Sequence, residues 1–314
     1  MNLPLDISPK VDSALKSGAP VVALESSIIS HGLPCPDNIE LAVETERLIE
    51  TSGACPATIA VMDGRIRIGL NLDELEKLSS GDDIAKLSRS DIPVALAKGL
   101  TGSTTVASTM ICSRLAGIEV FATGGIGGAH RGAELSFDVS ADLTELANSP
   151  VIVVSSGAKA ILDIPKTLEI LETLGVPVIA FGQSAFPAFW SRTSGFDAPH
   201  RLDSTREIAA AFHFMRELNL PGGLLIANPV PEGSELPLPE VNRWIDRALL
   251  DLERNTMHGK AVTPFLLDRI VGLSGGLSLK ANKELVKGNA ALAARIARSL
   301  VRFRASISAA RRKF

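Results

Sequence analysis

Two residues carry the sharpest chemical signal in the chain. Glu25 ends the apolar run VVAL and is followed by Ser26 and Ser27. Lys159 sits in SSGAKAILD, in a turn of small residues directly after another apolar run. A carboxyl at a buried strand end is the type that serves as a general acid, and it is equally the type that caps the next turn. A lysine becomes a nucleophile once it loses its proton, through desolvation or through repulsion from a second cation. Lys86 and Lys98 are the candidates for that second cation, or for binding phosphate. Asp138 and Asp142 flank Ser140 in SFDVSADL. Hard oxygen ligands at this density suit Mg or Mn, with water and phosphate completing the shell. The competing reading is a helix cap at Ser140 or Asp142.

Glycines cluster in GLTGSTT (99–105), TGGIGGAHRG (123–132) and LSGGLS (273–278). Glycine lets backbone N–H groups approach an anion, and helix N-termini favour phosphate. GLTGSTT lacks the G-K-[ST] ending of a Walker loop. His130 stands where a dinucleotide fingerprint needs glycine or alanine. A nucleoside triphosphate or NAD is therefore disfavoured, and a sugar phosphate remains allowed. Tight turns packed on a sheet would look similar. His31, His130 and His200 lack metal-ligand spacing, and His213 lies on an apolar helix face as a core histidine would. Ser26–Ser27 lack the G-x-S-x-G context of a serine hydrolase.

These residues need a scaffold, and the pattern supplies one. Apolar runs at 20–25, 57–64, 119–125, 150–157, 177–182 and 222–229 read as strands, several apolar on both faces. Helical periodicity falls between them at 37–53 and 204–219, and from Asn282 to Val301. Strand–helix alternation predicts an α/β fold, a three-layer α/β/α sandwich around a largely parallel, mixed sheet. Ligands in such sheets sit beyond the C-terminal strand ends. That rule gathers Glu25, the 123–128 glycines, Lys159 and Asn228 at one edge. NPVPEGSELPLPE (228–240) reads as a long functional loop rather than a linker. The whole chain, 1–314, is expected to form one domain. Its last residues, RASISAARRKF, read as a frayed basic tail.

Composition narrows the classes. The chain is 46% hydrophobic and 21% charged with a net charge of −3, which excludes disorder and a general nucleic-acid footprint. Three separated cysteines give neither a disulfide scaffold nor a zinc site. No stretch has the ~18 apolar residues of a membrane span, and no secretory signal opens the chain. A soluble, cytoplasmic protein is the expectation.

The strings ALESSIISHGLPCPDN, KLSRSDIPVALAKGLTGSTTVASTM, VFATGGIGGAHRGAELSFDVSADL, SSGAKAILDIPKTLE, GGLLIANPVPE and GKAVTPFLL closely resemble the pseudouridine-5′-phosphate glycosidase (indigoidine synthase A-like) family. The resemblance runs from about Val21 to about Ala297. It implies reversible cleavage of the C–C glycosidic bond of pseudouridine 5′-phosphate to uracil and ribose 5-phosphate. It implies one Mn²⁺ per subunit and a homotrimer. Glu25 matches the proton donor and Lys159 the nucleophile. Lys86, Val106 and the run Ser140, Ala141, Asp142 match substrate-binding positions. Asp138 matches the metal ligand, and Asn282 an active-site amide. Trp190 stands where the family resemblance leads one to expect Tyr, and Ser156 where it leads one to expect Ala; neither position touches an assigned role. A carbon leaving group is poorer than nitrogen, so two carboxylates at glycosidase spacing would fall short. Ring opening assisted by Glu25 and an imine-like adduct on Lys159 divide the step. Two other readings stay open: a Schiff-base aldolase on another sugar phosphate, and a sugar-phosphate-binding regulator without turnover.

Overall fold

The computed structural model describes residues 3–81, 84–255 and 262–311. Its strands are β1 (Leu5–Ile7), β2 (Val21–Leu24), β3 (Cys55–Met62), β4 (Arg65–Ile68), β5 (Ala85–Leu87), β6 (Gly102–Thr104), β7 (Val120–Ala122), β8 (Ala129–His130), β9 (Ile152–Ser155), β10 (Leu162–Asp163), β11 (Val178–Phe181), β12 (His200–Leu202) and β13 (Leu224–Ala227). Eleven of them form one sheet, in the order β1-β4-β3-β2-β7-β9-β13-β11-β12, with β6 joining β3 and β5 joining β6. The run β3-β2-β7-β9-β13-β11-β12 is parallel throughout. Antiparallel pairing enters at β3–β4 and β3–β6, so the sheet is mixed as expected.

The central strands β2, β7, β9 and β13 are buried along their whole length, because helices cover both faces. Each of the six expected strands is present, five with trimmed ends and the one expected at 57–64 shifted to Cys55–Met62. The short strands β1, β4, β5, β6 and β12 escaped the pattern, since three- or four-residue strands give too little periodicity.

β3 is the element that shapes the site. Its first half, Cys55–Thr58, pairs with β2, and its second half pairs with β4 and with β6. β6 thus takes over where β2 ends. Ser26 bridges the exchange: its hydroxyl donates to the Ile59 carbonyl at 2.6 Å and accepts from the Thr104 N–H at 2.9 Å. The sheet forks immediately beyond Glu25.

The helix Leu277–Arg311 crosses the parallel strands. Ala290, Ala293, Ala294 and Ala297 are buried against β2, β7 and β9 together with Leu292, Ile296 and Leu300. Small side chains allow the close approach, and the larger ones fill the space between strands. The expected frayed tail is corrected here, since the helix continues to Arg311. RASISAAR contains neither Gly nor Pro, and nothing in it stops a helix. Residues 312–314 of that tail lie outside the described residues. The segment 228–240 is also corrected: its last three residues open the helix Leu238–Asn255. Its middle is pinned to the 190–192 segment by Leu236 N–H to the Trp190 carbonyl, Ser191 hydroxyl to the Leu236 carbonyl, and Arg192 to the Val230 carbonyl. It supports a wall of the cleft and does not line it.

Candidate active site

The C-terminal strand ends converge as the α/β rule requires. Glu25 follows β2 and is buried. One carboxyl oxygen accepts from the Thr123 hydroxyl, which follows β7, and the other from the Ser27 hydroxyl. Both partners are hydroxyls, which accept as well as donate. The carboxyl can therefore gain or lose a proton without losing its neighbours.

Beyond β7 and β9 the two loops zip together. Ile126 N–H donates to the Gly157 carbonyl and Lys159 N–H to the Ile126 carbonyl, each at 3.0 Å. Gly157 has φ 78°, a backbone conformation that favours glycine, and a Cβ there would collide with the Pro187 carbonyl. This turn delivers Lys159 to the cleft. The Lys159 ammonium has no ion pair among the described residues, so no carboxylate locks it away from a ligand.

The cleft has two lobes. One is bounded by Glu25, His31, Asn282 and the apolar Leu33, Phe189 and Leu285. The other, called the polar lobe for its residue types, is bounded by Ser88, Gly127, His130, Asp138, Ser140 and Asp142. Lys86, Lys159 and Thr263 line both, so they mark the junction.

Five sequence-derived positions thus meet in the polar lobe beside Lys159: Lys86, Asp138, Ser140, Ala141 and Asp142. Glu25 and Asn282 meet Lys86 and Lys159 in the apolar lobe. Val106 does not join either wall. It is buried in the first turn of the helix Val106–Ala116. Asp142 is buried, and both its carboxylate oxygens are engaged by the backbone. One accepts from Ala107 N–H at 2.8 Å, the other from Gly127 N–H at 2.7 Å. The side chain clamps that helix start to the 123–128 glycine loop. Gly127 has no room for a side chain, since a Cβ would collide with Ser140 and Asp142. Ser140 caps the helix Ala141–Leu146, accepting from Asp142 N–H, so the capping reading holds for it as well.

Asp138 is exposed at the rim of the polar lobe, and its carboxylate accepts no hydrogen bond from the described residues. Among those residues no group of three or more His, Cys, Asp or Glu side chains gathers to hold an ion. One open carboxylate at the rim of the polar lobe fits a hard, largely hydrated cation such as Mg or Mn. It does not fit a zinc-type centre with several protein ligands.

His31 occupies the apolar lobe wall. Burial, and then the charge of Lys86, push its imidazole below the ordinary value, while a hydrogen bond to the Ile84 carbonyl opposes this. Its Nε2 is buried without a hydrogen-bond partner, so Nδ1 is the nitrogen that donates to Ile84.

The roles of three residues were not legible from the sequence. Thr123 holds Glu25. Asn289, fully buried, donates to the Thr123 carbonyl at 2.8 Å and accepts from Asn228 Nδ2 at 3.0 Å, bracing the ends of β7 and β13. The signal for Asn289 was its place seven residues after Asn282, on the same helix face. Trp190 is the third. The expectation that position 190 touches no assigned role is corrected, since Trp190 Nε1 donates to Asn282 Oδ1 at 2.6 Å; the Ser156 hydroxyl contacts the amide of Asn289, which carried no assigned role, at 3.2 Å.

Comparison with known proteins places the chain among relatives along nearly its whole length. Residues 10–299 match the family described as indigoidine synthase A like protein. A pseudouridine-5′-phosphate glycosidase of Paracoccus denitrificans is 58% identical over 296 residues, covering 94% of this chain and 97% of its own. Another, from Caldanaerobacter subterraneus, is 54% identical over 297 residues, covering 95% and 97%. Among solved structures, the prealnumycin C-glycosynthase AlnA in complex with ribulose 5-phosphate superposes with TM-score 0.90 at 36% identity, covering 98% of this chain and all of that one. An indigoidine synthase A-like protein of Thermotoga maritima gives TM-score 0.87 at 37% identity, covering 95% and 97%.

Proposed function

The chain belongs to the indigoidine synthase A-like family, and we propose that it reversibly cleaves the C–C glycosidic bond of pseudouridine 5′-phosphate, giving uracil and ribose 5-phosphate. The observation that carries this reading is one cleft holding a buried carboxyl, Glu25, and an amine without an ion pair, Lys159, where an apolar lobe meets a polar one. The apolar lobe suits a planar base. The polar lobe suits a sugar phosphate, the class of ligand in the AlnA complex.

The chemistry follows from the residue types. Glu25 gives its proton to the ring oxygen as the C1′–O4′ bond breaks, and the Lys159 amine bonds to C1′. The adduct nitrogen gives a proton back to the Glu25 carboxylate, and its freed lone pair then expels the base, the C1′–C bond electrons passing to the base carbon. That carbon takes up a proton, leaving an iminium on Lys159. Water hydrolyses the iminium, releasing ribose 5-phosphate and the free amine. Covalent attachment divides one hard step into easier ones. The phosphate, held in the polar lobe by Lys86 and Ser140, contributes orientation remote from the broken bond. The clamp at Asp142 shapes that lobe.

The reading includes one Mn²⁺ per subunit, held by Asp138. When bound it would organise water and phosphate oxygens. It includes a single catalytic domain, a cytoplasmic location and a homotrimer. Leu135 and Phe137, 85% and 84% exposed beside Asp138, support assembly, since they give an apolar edge that another copy can cover. No single helix among the described residues is long and apolar enough to cross a membrane.

Product analysis tests this directly. Incubation with pseudouridine 5′-phosphate should release uracil and ribose 5-phosphate in equal amounts, read by chromatography. Absence of uracil, with or without added Mn²⁺, rejects the activity.

A further inference from the structure

We propose that Trp190 is a positioning residue that fixes the Asn282 carboxamide with its amino group toward the cleft, so that the apolar lobe demands a ring carbonyl on the departing base and disfavours an exocyclic amine. This rests on the C–C cleavage reading above and deepens it.

The orientation follows from donor chemistry. An indole N–H can only donate, so its partner on Asn282 must be the carbonyl oxygen. The Trp190 Nε1 to Asn282 Oδ1 distance of 2.6 Å therefore settles which way the amide points, independent of how its two heavy atoms are told apart. Asn282 is 8% exposed, and Trp190 only 1%. Trp190 is itself held fast. Its carbonyl accepts from Leu236 N–H at 2.8 Å, and its ring lies 5.2 Å from that of Phe189, which lines the same lobe.

With Oδ1 engaged, the two N–H groups of Nδ2 are left. They have no partner among the described residues, and Asn282 lines the apolar lobe. A nearly buried amine of this kind is a standing demand for an acceptor. A base whose broken bond lies beside a ring carbonyl meets it. The fixed Nδ2 donor pairs with that carbonyl in the bound base, so recognition rests on matching donor to acceptor. An amino group at the same place would set N–H against N–H, with one buried donor left unmet.

The experiment compares free uracil and free cytosine as product inhibitors of pseudouridine 5′-phosphate cleavage, in the wild-type enzyme and in Trp190→Phe. Wild type should prefer uracil. Trp190→Phe frees the amide to turn, so kcat/KM should fall about tenfold, the loss of one hydrogen bond. The uracil preference should narrow in step. An unchanged preference overturns the inference. Should Trp190→Phe fail to fold, Asn282→Asp presents an acceptor in place of the donor, and a uracil preference equal to wild type overturns it equally.

A second readout needs no substrate. The chain has two tryptophans, so the indole N–H resonance of Trp190 is readily assigned. It should move on Asn282→Ala, and a resonance that stays put removes the orienting bond and the inference with it. If wild type releases no uracil at all, the activity has failed and the base preference falls with it, while the resonance still reports on the orientation. If uracil is released but the preference ignores residue 190, the inference alone has failed.

Discussion

Glu25 and Thr123 stand at the C-terminal ends of neighbouring parallel strands, and the hydroxyl of one donates to the carboxyl of the other. The bond spans the sheet beside the fork at Ser26. Under the proposed reading it fixes the direction in which Glu25 would deliver its proton. Glu25→Gln should lower kcat by at least about 10²-fold, the usual contribution of a positioned acid. Thr123→Val should lower kcat about tenfold with KM little changed. Steady-state kinetics on both variants check this, and a Thr123→Val enzyme with normal kcat would reject the orienting role.

The proposed covalent step requires Lys159 to be both neutral and close to C1′. Lys159→Ala should abolish turnover, and Lys159→Arg should do the same, because a guanidinium stays charged. Borohydride added during turnover should leave sugar phosphate attached to wild-type protein, seen as added mass, and none on either variant. Uracil release by Lys159→Ala at a near-normal rate contradicts the covalent step.

Removal of Asp142 should cost stability and substrate affinity together. Asp142→Ala strips the acceptor from two buried backbone donors, each worth about 1–3 kcal/mol. Tm should fall, and KM should rise as the glycine loop loosens. Asp142→Asn keeps one acceptor and should lose less on both counts. Calorimetry beside kinetics separates the effects; an Asp142→Ala protein as stable as wild type would show that the clamp is not needed.

Asp138→Asn should shift the Mn²⁺ dependence of activity to higher concentration while leaving Tm nearly unchanged, since that carboxylate holds nothing else in place. Chelation followed by Mn²⁺ titration measures it. An identical titration curve in the variant takes the metal away from Asp138.

The pH dependence of stability has a worked sign. The folded His31 binds its proton less readily than the unfolded side chain, whose ordinary value is 6.5. As pH falls through that value the unfolded chain takes up a proton and the folded one resists, so stability drops. His31→Asn should flatten Tm between about pH 7 and 5. Asp6 acts in a separate window: hydrogen bonding from Arg65 lowers it from 3.8 to about 2, so its contribution is lost only as pH falls through that range. A His31→Asn protein with the wild-type slope above pH 5 would reject the assignment.

Much of the fold was written in local pattern. The buried strands announce themselves because helices cover them on both faces, leaving uninterrupted runs such as VIVV and LLIA. The residues just past those runs, Glu25 and Lys159, were legible for the same reason. The branching of β3 was not, because a change of neighbour halfway along a strand leaves no trace in hydrophobic order. Partners contributed from far away were also hidden. Thr123 lies 98 residues from Glu25, and Trp190 lies 92 from Asn282, so only the folded chain brings them together. Asp142 was read as a ligand-facing acid or a cap, whereas its carboxylate is occupied by two backbone amides.

The helix Leu277–Arg311 brings a consequence for how such an enzyme can be remade. Its turns carry Asn282, Leu285 and Val286 to the apolar lobe, while Glu25 and Lys159 follow the ends of β2 and β9. Under the proposed reading, appetite for a particular base is thereby lodged in one exchangeable strut, apart from the proposed acid and amine. Grafting a different face onto that strut should redirect the enzyme to other carbon-linked bases while the chemistry at the strand ends runs on unchanged.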